Sequence, residues 1–304
     1  MIVSVRTYVD KRLKVVSGGV ECLDFAGYGN HAGEAGPCHE RLVYLCGEIL
    51  ACGAHCWVAE CGKNAPPTMF DNMLTPRFNI FTMILDGIDF GGAGARTRRY
   101  YFGYLAGWQF HGTVDEFWKI FRCSVEIDSD VYFQGDEDLR LVYSRARAAK
   151  QGNIYPSEAK RVPVLSQLTA ECAARYDEHM ALRSQAQNLA GSYIFDVAHH
   201  PSHTVGGWLC PPLVTHGMLV NANLDKIALP SEHMFIQPEP AKEGLGGDFG
   251  CCWLPLLKQM EHNREHGRKM IFMAGNSMQN NVVGAWTWYC LSSLDVPADI
   301  EVDI

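Results

Sequence analysis

Two aromatic and β-branched segments decide the fold expected from this sequence, FNIFTMIL at residues 78–85 and YYFGYLAGW at residues 100–108. Both stand near glycines, and both are rich in side chains that favour extended structure. Alternation of apolar and polar residues predicts further strands at residues 2–8, 125–132 and 300–304, and a similar composition extends the prediction to residues 117–127 and 286–292. The sequence therefore predicts a mainly β protein.

Helical spacing is limited to three segments. Residues 166–189 carry apolar side chains at three-to-four spacing, with Ser166 as a cap at the start and Gly191 at the end. Shorter helices are expected at residues 38–51 and 254–266, where Pro255 permits only a helix start. The expected picture is a β-rich chain with one long helix and long irregular connections.

Length and composition restrict the class of protein. The 304 residues allow one large domain or two modest ones, and the chain is 47% apolar, 11% aromatic and 20% charged, as in ordinary globular proteins. A formal net charge of −8 argues against a generally basic, duplex-binding surface. The first thirty residues lack a signal-peptide pattern, and Glu48, His55 and Glu60 interrupt the most apolar stretch, so no membrane helix is expected. We expect a soluble protein with reduced thiols.

The densest group of metal-ligating residue types comprises Cys38, His39, Cys46, Cys52, His55, Cys56 and Cys61. A structural zinc site usually draws on tight pairs such as C-x2-C, and none occurs here, so we expect buried free thiols without zinc or disulfides. A second group comprises His199, His200, His203 and His216. It has an H-x3-H spacing but lacks the glutamate of H-E-x-x-H, and Pro201 opposes a helix. A loop of solvated histidines is favoured, with a metal site as the alternative.

Motifs for phosphate binding and for nucleophilic catalysis are incomplete. The run GGAGARTRR at residues 91–99 lacks the G-K-[ST] of a Walker loop and the third glycine of a dinucleotide fingerprint, so it predicts a glycine loop with a basic rim. Neither a G-x-S-x-G elbow nor a cysteine-protease signature is present. Cys210 follows His203 closely, but spacing alone does not place a thiol beside an imidazole. The sequence thus predicts no catalytic residue, metal or cofactor, and favours a structural role over an enzyme.

Two motifs between residues 60 and 122 provide a family resemblance. TMFDNMLTPRF at residues 68–78 stands where a helix motif of the S-[FL]-R-x-L-L-x-R type is expected, and YFGYLAGWQFHGTV at residues 101–114 precedes FWKIF at residues 117–121 in place of a Y-R-G-S-x-R-[YW]-K motif. In these segments the chain resembles the capsid proteins of picorna-like viruses, the single jelly-roll family of dicistroviruses and iflaviruses. His111-Gly112-Thr113 replaces Arg-Gly-Ser, and Pro76 interrupts the first motif.

The resemblance implies one jelly-roll β-sandwich domain over residues 1–304, with long loops, an N-terminal extension at about residues 1–65 and a helical insertion at about residues 164–190. It implies a structural capsid protein that self-assembles into an icosahedral shell, located in the virion after assembly in the host cytoplasm. Its partners would be copies of itself or sister capsid chains, without a membrane. The alternative is a soluble Cys/His-dependent enzyme or metal-binding protein.

A subunit interface is expected at Tyr101, Tyr104, Trp108, Arg98 and Arg99. Because side chains alternate along a strand, Tyr104 and Trp108 should share one face and Tyr101 the other. Burial of both faces needs either a sandwich core and a neighbouring subunit or a wholly internal strand. The arginines are expected to pair with acids of an adjacent subunit, and weak contact with packaged nucleic acid is the alternative.

Overall fold

A computed structural model describes residues 12–20, 36, 38–92, 94–123, 128–185, 191–202, 206–237, 264–298 and 300. The chain divides into two compact units. Unit 1 comprises Met1–Phe90, Thr97–Cys123 and Asn281–Ile304, and unit 2 comprises Gly91–Arg96 and Ser124–Asn280. The expected strand at residues 2–8, all but residue 300 of the expected strand at residues 300–304, and most of the expected helix at residues 254–266 lie outside the described residues.

The helices and strands follow one another along the chain as β1 (Val15–Gly19), α1 (Cys38–Ala51), β2 (Cys56–Gly62), α2 (Asp71–Leu74), β3 (Phe78–Leu85), β4 (Arg98–Leu105), β5 (Gln109–Phe110), α3 (Val114–Phe121), α4 (Glu137–Lys150), α5 (Ala170–Gln185), β6 (Ile194–Asp196), β7 (Leu219–Asn221), β8 (Lys226–Ile227), α6 (Pro230–Ile236), α7 (Arg264–Asn276), α8 (Asn280–Ser292) and β9 (Leu294–Asp295). Short 3-10 turns lie at Gly87–Asp89, Ser129–Tyr132 and Val164–Gln167.

Unit 1 is built on a mixed sheet in the order β1-β2-β4-β3. β1 and β2 are parallel and are joined by α1, whereas β4 is antiparallel to both of its neighbours. Parallel strands need such a crossover, and the crossover helix covers one face of the sheet. A side chain at Gly18 would come within 2.9 Å of Leu45, so the glycine lets α1 pack closely against β1.

Both faces of the sheet are buried. All seven residues of β2 are buried, which is the pattern of an internal strand. α1 and α2 cover one face, where Trp57 and Phe70 pack together. α3 and α8 cover the other face, where Phe117 and Trp286 are fully buried. Packing on both faces therefore fixes the sheet, and with it the positions of the carboxyl ends of β1 and β2.

Unit 2 contains the antiparallel sheet β6-β7-β8 and the helices α4 to α7. Its apolar residues form two clusters, one around Ile194, Met234 and Met270 and the other around Val164 and Phe195. A buried ion pair between Arg140 of α4 and Glu232 of α6 joins two of its helices. None of the helices within the described ranges is long and apolar enough to cross a membrane.

Several predicted elements are confirmed. The helix at residues 38–51 and the strand at residues 78–85 have the expected bounds, the strand expected at residues 100–108 is β4, and α5 lies within the helix expected at residues 166–189. The expected strand at residues 125–132 is wrong where it is described, because residues 129–132 form a 3-10 turn.

The mainly β jelly-roll prediction is wrong. A jelly roll packs two antiparallel sheets, whereas the four-stranded sheet of unit 1 is mixed and is covered by helices on both faces. Residues 117–121 and 286–292, expected as strands, belong to α3 and α8. Thr113 caps α3 by accepting the Glu116 N–H at 3.2 Å, and both helices turn large aromatic side chains toward the sheet. Aromatic composition suggested strands, but helical spacing buries the same rings equally well.

Candidate functional site

The candidate site lies at the carboxyl ends of the parallel strands β1 and β2. Gly19 pairs with Glu60, and the Val20 N–H donates to the Glu60 carbonyl at 3.0 Å. In open α/β sheets, ligands bind outside this edge of the parallel strands. A side chain at Gly19 would meet no atom within 4 Å, so a ligand has room to approach the backbone there.

Glu60 is the chemically distinctive residue of this edge. It is only 6% exposed, in a strand that is otherwise apolar. Arg98 Nε lies 3.4 Å from its Oε1 atom, and the Tyr100 hydroxyl donates to its Oε2 atom at 3.3 Å. The antiparallel register aligns Glu60 with Tyr100 and Gly62 with Arg98, so the three side chains share one face of the sheet.

Hydrogen bonds on β3 and β4 fix the two donors. Arg98 Nη1 donates to the Thr97 carbonyl at 2.8 Å, and the Thr97 hydroxyl bonds the Asp86 carboxylate. The Thr82 hydroxyl donates to the Tyr100 carbonyl at 2.8 Å. These bonds therefore hold the Arg98 guanidinium and the backbone of Tyr100 in place.

The Glu60 carboxylate is a hydrogen-bond acceptor that lies beside a cationic donor, Arg98, and a neutral donor, Tyr100. The open space at Gly19 adjoins it. A buried carboxylate costs free energy unless it is paired, and an apolar strand needs no such group for packing. A buried acid at a ligand-binding edge is therefore a candidate for ligand recognition. A carboxylate accepts from amino groups, and a guanidinium donates to carbonyl or phosphate oxygens.

The five residues expected at a subunit interface all lie on or next to β4. Tyr101 faces one side of the sheet and Tyr104 and Trp108 the other, so the expected alternation is confirmed. Tyr101 is fully buried within the chain, where its hydroxyl donates to the Pro66 carbonyl at 2.7 Å. Arg98 is paired with Glu60 of the same chain, and the buried Nε atom of Arg99 has no hydrogen-bond partner among the described residues. A role of these residues in subunit contacts stays a prediction.

The cysteine-rich segment does not come together as one site. Cys46 and Cys61 lie in the core on one face of the sheet, and Cys56 lies on the other. Burial raises the pKa of the Cys46 and Cys56 thiols to about 12, which keeps both protonated at neutral pH. Cys46, Cys52, Cys56, Cys123, Cys172 and Cys290 are free thiols, and the described residues contain no group of three or more His, Cys, Asp or Glu side chains that could hold a metal ion.

His199, His200 and His216 lie in unit 2, where His199 and His200 contact different acidic side chains, Asp196 and Glu178. His199 Nδ1 lies 2.9 Å from the buried Asp196 carboxylate, which also accepts the N–H groups of Ala198 and Met218. Burial opposes ionisation of Asp196, but the hydrogen bond from His199 and the two backbone N–H groups together lower its pKa. The hydrogen bond to Asp196 raises the pKa of His199. His216 is exposed, and His203 lies outside the described residues.

The glycine run at residues 91–99 does not form a phosphate loop in the part that is described. Gly94 pairs with Cys210, and the Ala95 N–H donates to the Cys210 carbonyl at 3.3 Å. Arg96 is buried and donates to the Gly275 carbonyl of α7 at 3.0 Å, which places a cation at the end of that helix. Asp136 caps α4, and Glu137 and Asp138 begin it.

Comparison with solved structures identifies the fold. The chain is similar to a protein described as a DNA modification methyltransferase encoded within a prophage (E. coli), with a TM-score of 0.50, 13% identity, and coverage of 93% of this chain and 80% of that chain. Lower scores of 0.48 relate it to the Entamoeba histolytica methyltransferase EhMeth, at 14% identity over 92% of this chain and 77% of that chain, and to S. pombe Dnmt2 methyltransferase, at 13% over 92% and 78%. No protein-family model and no curated protein matches.

This fold overturns the predicted capsid resemblance. The predictions of a structural capsid protein and of a virion location depended on a jelly roll, whereas the preference for a structural role over an enzyme depended also on the absence of catalytic motifs. The mixed sheet, which resembles the prophage-encoded methyltransferase, overturns these predictions. The sequence had presented Glu60 only as an interruption of an apolar stretch, although a charge inside such a stretch is itself a signal of a functional position.

Proposed function

We propose that this chain is a methyltransferase that acts on a base of DNA and that the base is held by Glu60 and Arg98. The observation that carries the proposal is the buried Glu60 carboxylate, with Arg98 and Tyr100, at the carboxyl edge of the parallel strands. The similarity of the fold to a prophage-encoded DNA modification methyltransferase supports the reaction class. The donor S-adenosylmethionine would supply an electrophilic methyl group.

The chemistry of Glu60 favours a base with an exocyclic amino group. A carboxylate accepts a hydrogen bond from an amino group such as N4 of cytosine, while Arg98 donates to an oxygen of the same nucleotide. A base stacked in a duplex cannot reach a side chain that is 6% exposed within a sheet. The target base is therefore expected to leave the helix stack and enter the site.

The charge of the chain limits how DNA is bound. A net charge of −8 does not favour phosphates over the whole surface, so local cations must provide the contact. Arg98 and Arg99 are adjacent at the start of β4, and their side chains lie on opposite faces of the sheet. We expect Arg98 to contact the base together with Glu60 and Arg99 to contact the phosphate backbone.

The test measures transfer of tritium from methyl-labelled S-adenosylmethionine to duplex DNA by the full chain. Wild type should label DNA, and Glu60→Gln, which keeps the size but removes the charge, should lower the rate about 100-fold or more, as loss of a well-placed polar contact does. Glu158→Gln is the matched control, because Glu158 is exposed and remote in sequence from the site. Absence of label with folded wild-type protein, or full activity of Glu60→Gln, would refute the proposal, and labelling of RNA alone would refute DNA as substrate.

A further inference from the structure

We infer that the outer face of α1 binds the same face of a second copy of this chain through a two-fold antiparallel helix pair. The inner face of α1 is already filled, since Leu42, Leu45 and Ile49 are buried against the sheet. On the outer face Val43, Tyr44 and Leu50 are 47%, 57% and 39% exposed. This inference is independent of the proposed function.

The outer face has three parallel rows of side chains. At 3.6 residues per turn, Tyr44 and Gly47 lie along its centre, with Glu40 and Ala51 beyond them. Val43 and Leu50 form an apolar row on one side, and Arg41 and Glu48 form a charged row on the other. A side chain at Gly47 would meet no atom within 4 Å, so the prominent Tyr44 ring stands beside open space.

The three rows are complementary to the same rows of a second copy under two-fold symmetry. In a two-fold pair, when residue i of one copy contacts residue j of the other, j also contacts i. An axis at the level between Leu45 and Cys46 sets Tyr44 of each copy over Gly47 of the other, where the missing side chain lets the ring approach the backbone. The same symmetry sets each apolar row against its equivalent and brings Arg41 of one copy near Glu48 of the other.

The charged row contains both a cation, Arg41, and an anion, Glu48. This favours a second copy over a partner that carries charge of one sign only. Arg41 and Glu48 are seven residues apart on the same side of α1, so an antiparallel copy exchanges their positions. The guanidinium has five N–H donors and can serve a carboxylate of the second copy while it keeps contacts within its own chain. A single helix pair is smaller than a standard interface of about 800 Å² per partner, so the dimer should be weak.

Sedimentation velocity of the full chain between about 1 and 100 µM tests the pairing in the range expected for a small interface. Wild type should pass from monomer to dimer, whereas Tyr44→Glu should raise the dissociation constant about tenfold or more, as loss of a central aromatic contact does. The matched control is Val142→Glu, since Val142 is 58% exposed but lies on α4, away from the proposed helix pair. This variant should dimerise as wild type does. Circular dichroism confirms folding, which substitutions at exposed positions should preserve.

Charge exchange tests the antiparallel arrangement. Arg41→Glu and Glu48→Arg should each weaken the dimer about threefold to tenfold, and the double variant should return to within about twofold of wild type. A wild-type chain that stays monomeric at the highest concentration overturns the inference. A dimer insensitive to Tyr44→Glu, or a double variant no tighter than either single one, overturns it equally.

Discussion

Glu60 in unit 1 and Glu232 in unit 2 are both buried carboxylates paired with an arginine, and they differ in how tightly they are held. Glu232 accepts Arg140 Nη2 at 2.6 Å, Arg140 Nη1 at 3.1 Å, and the N–H groups of Gly135 and Leu229, each at 2.7 Å. The Arg98 and Tyr100 contacts to Glu60 are 3.4 and 3.3 Å long.

The two arginines differ in the same way. The Arg140 side chain is 7% exposed and also donates to the Ile227 carbonyl at 2.9 Å, whereas the Arg98 side chain is 20% exposed. Burial opposes the charge of Arg140, but Glu232 and Glu137 outweigh it and raise the Arg140 pKa. The short, bidentate pair of Arg140 and Glu232 joins two helices, whereas the longer contacts of Glu60 can shorten or be exchanged when a ligand binds.

The largest expected effect is the loss of the Glu232 pair. Glu232→Gln removes the short bidentate partner of the buried Arg140, leaves only the more exposed Glu137 beside its charge, and should lower the free energy of unfolding by about 3–5 kcal/mol. Urea unfolding followed by circular dichroism measures this change. Methyl transfer per folded molecule should stay within about threefold of wild type, since the effect is on stability. A stability loss below about 1 kcal/mol would mean that Glu232 is not the structural member of the two.

The next effect is a pH dependence specific to unit 2. His233, beside Glu232, is fully buried, and burial lowers its pKa to about 4 from 6.5, an effect that Asp196 opposes and Arg147 adds to. Between these pH values the unfolded chain binds a proton that the folded unit does not, so stability falls as the pH falls from 6.5 toward 4.

Comparison of unfolding free energies at pH 7.5 and pH 4.5 measures this contribution. Wild type should lose about 2–3 kcal/mol more than His233→Gln over this interval, because one pKa unit corresponds to about 1.4 kcal/mol. His216→Gln is the control at an exposed position and should behave as wild type. Equal losses in wild type and His233→Gln would show that this histidine does not set the acid sensitivity of unit 2.

Lysine replacements sharpen the contrast between the two arginines. Arg140→Lys loses the bidentate geometry and should cost about 2 kcal/mol of stability. Arg98→Lys should cost less than about 1 kcal/mol, because this side chain is partly hydrated, but should slow methyl transfer about tenfold or more. Thermal unfolding and the tritium assay on both variants provide the readings. The comparison fails if Arg98→Lys destabilises the chain as much as Arg140→Lys does.

The smallest effect separates two neighbouring tyrosines of β4. The Tyr100 hydroxyl donates to Glu60 and the Tyr101 hydroxyl to the Pro66 carbonyl, on opposite faces of the sheet. Tyr100→Phe and Tyr101→Phe should each cost about 1 kcal/mol of stability. We expect a rate decrease of about threefold to tenfold for Tyr100→Phe alone, because only this hydroxyl touches the site. Equal rates for both variants would remove Tyr100 from the site.

Local sequence patterns were reliable where one face of an element is apolar and the other polar. The helix at residues 38–51 has buried residues at Leu42, Leu45, Cys46 and Ile49, which is helical spacing, and its bounds are confirmed. α8 buries Val282, Trp286, Tyr289 and Cys290 but contains no charged residue to mark an outer face. Its apolar run therefore resembled a strand, since short apolar runs do not distinguish the two structures.

The site was predicted only in part. Arg98 was among the expected functional residues, but as part of a subunit interface, and Glu60 was not among them. The two are 38 positions apart in sequence. The GGAGARTRR run predicted a glycine loop with a basic rim, and nothing in it indicated a contact between Arg98 and Glu60. An aromatic segment that looked like a capsid strand proved to be the internal strand β4, whose first residues carry the arginine to the site.

Chain geometry determined from sequence alone that Tyr101 lies on one face of β4 and Tyr104 on the other, because the side-chain period of a strand is a property of its backbone. The sequence likewise determined where α1 and β3 lie. Only the tertiary structure decided that β4 inserts between β2 and β3 and that Glu60 meets Tyr100, 40 residues away. That pairing requires long loops to close, which costs conformational entropy, and it buries both faces of the sheet, which stabilises it. Both contributions depend on the whole chain, so no single segment of the sequence reveals them.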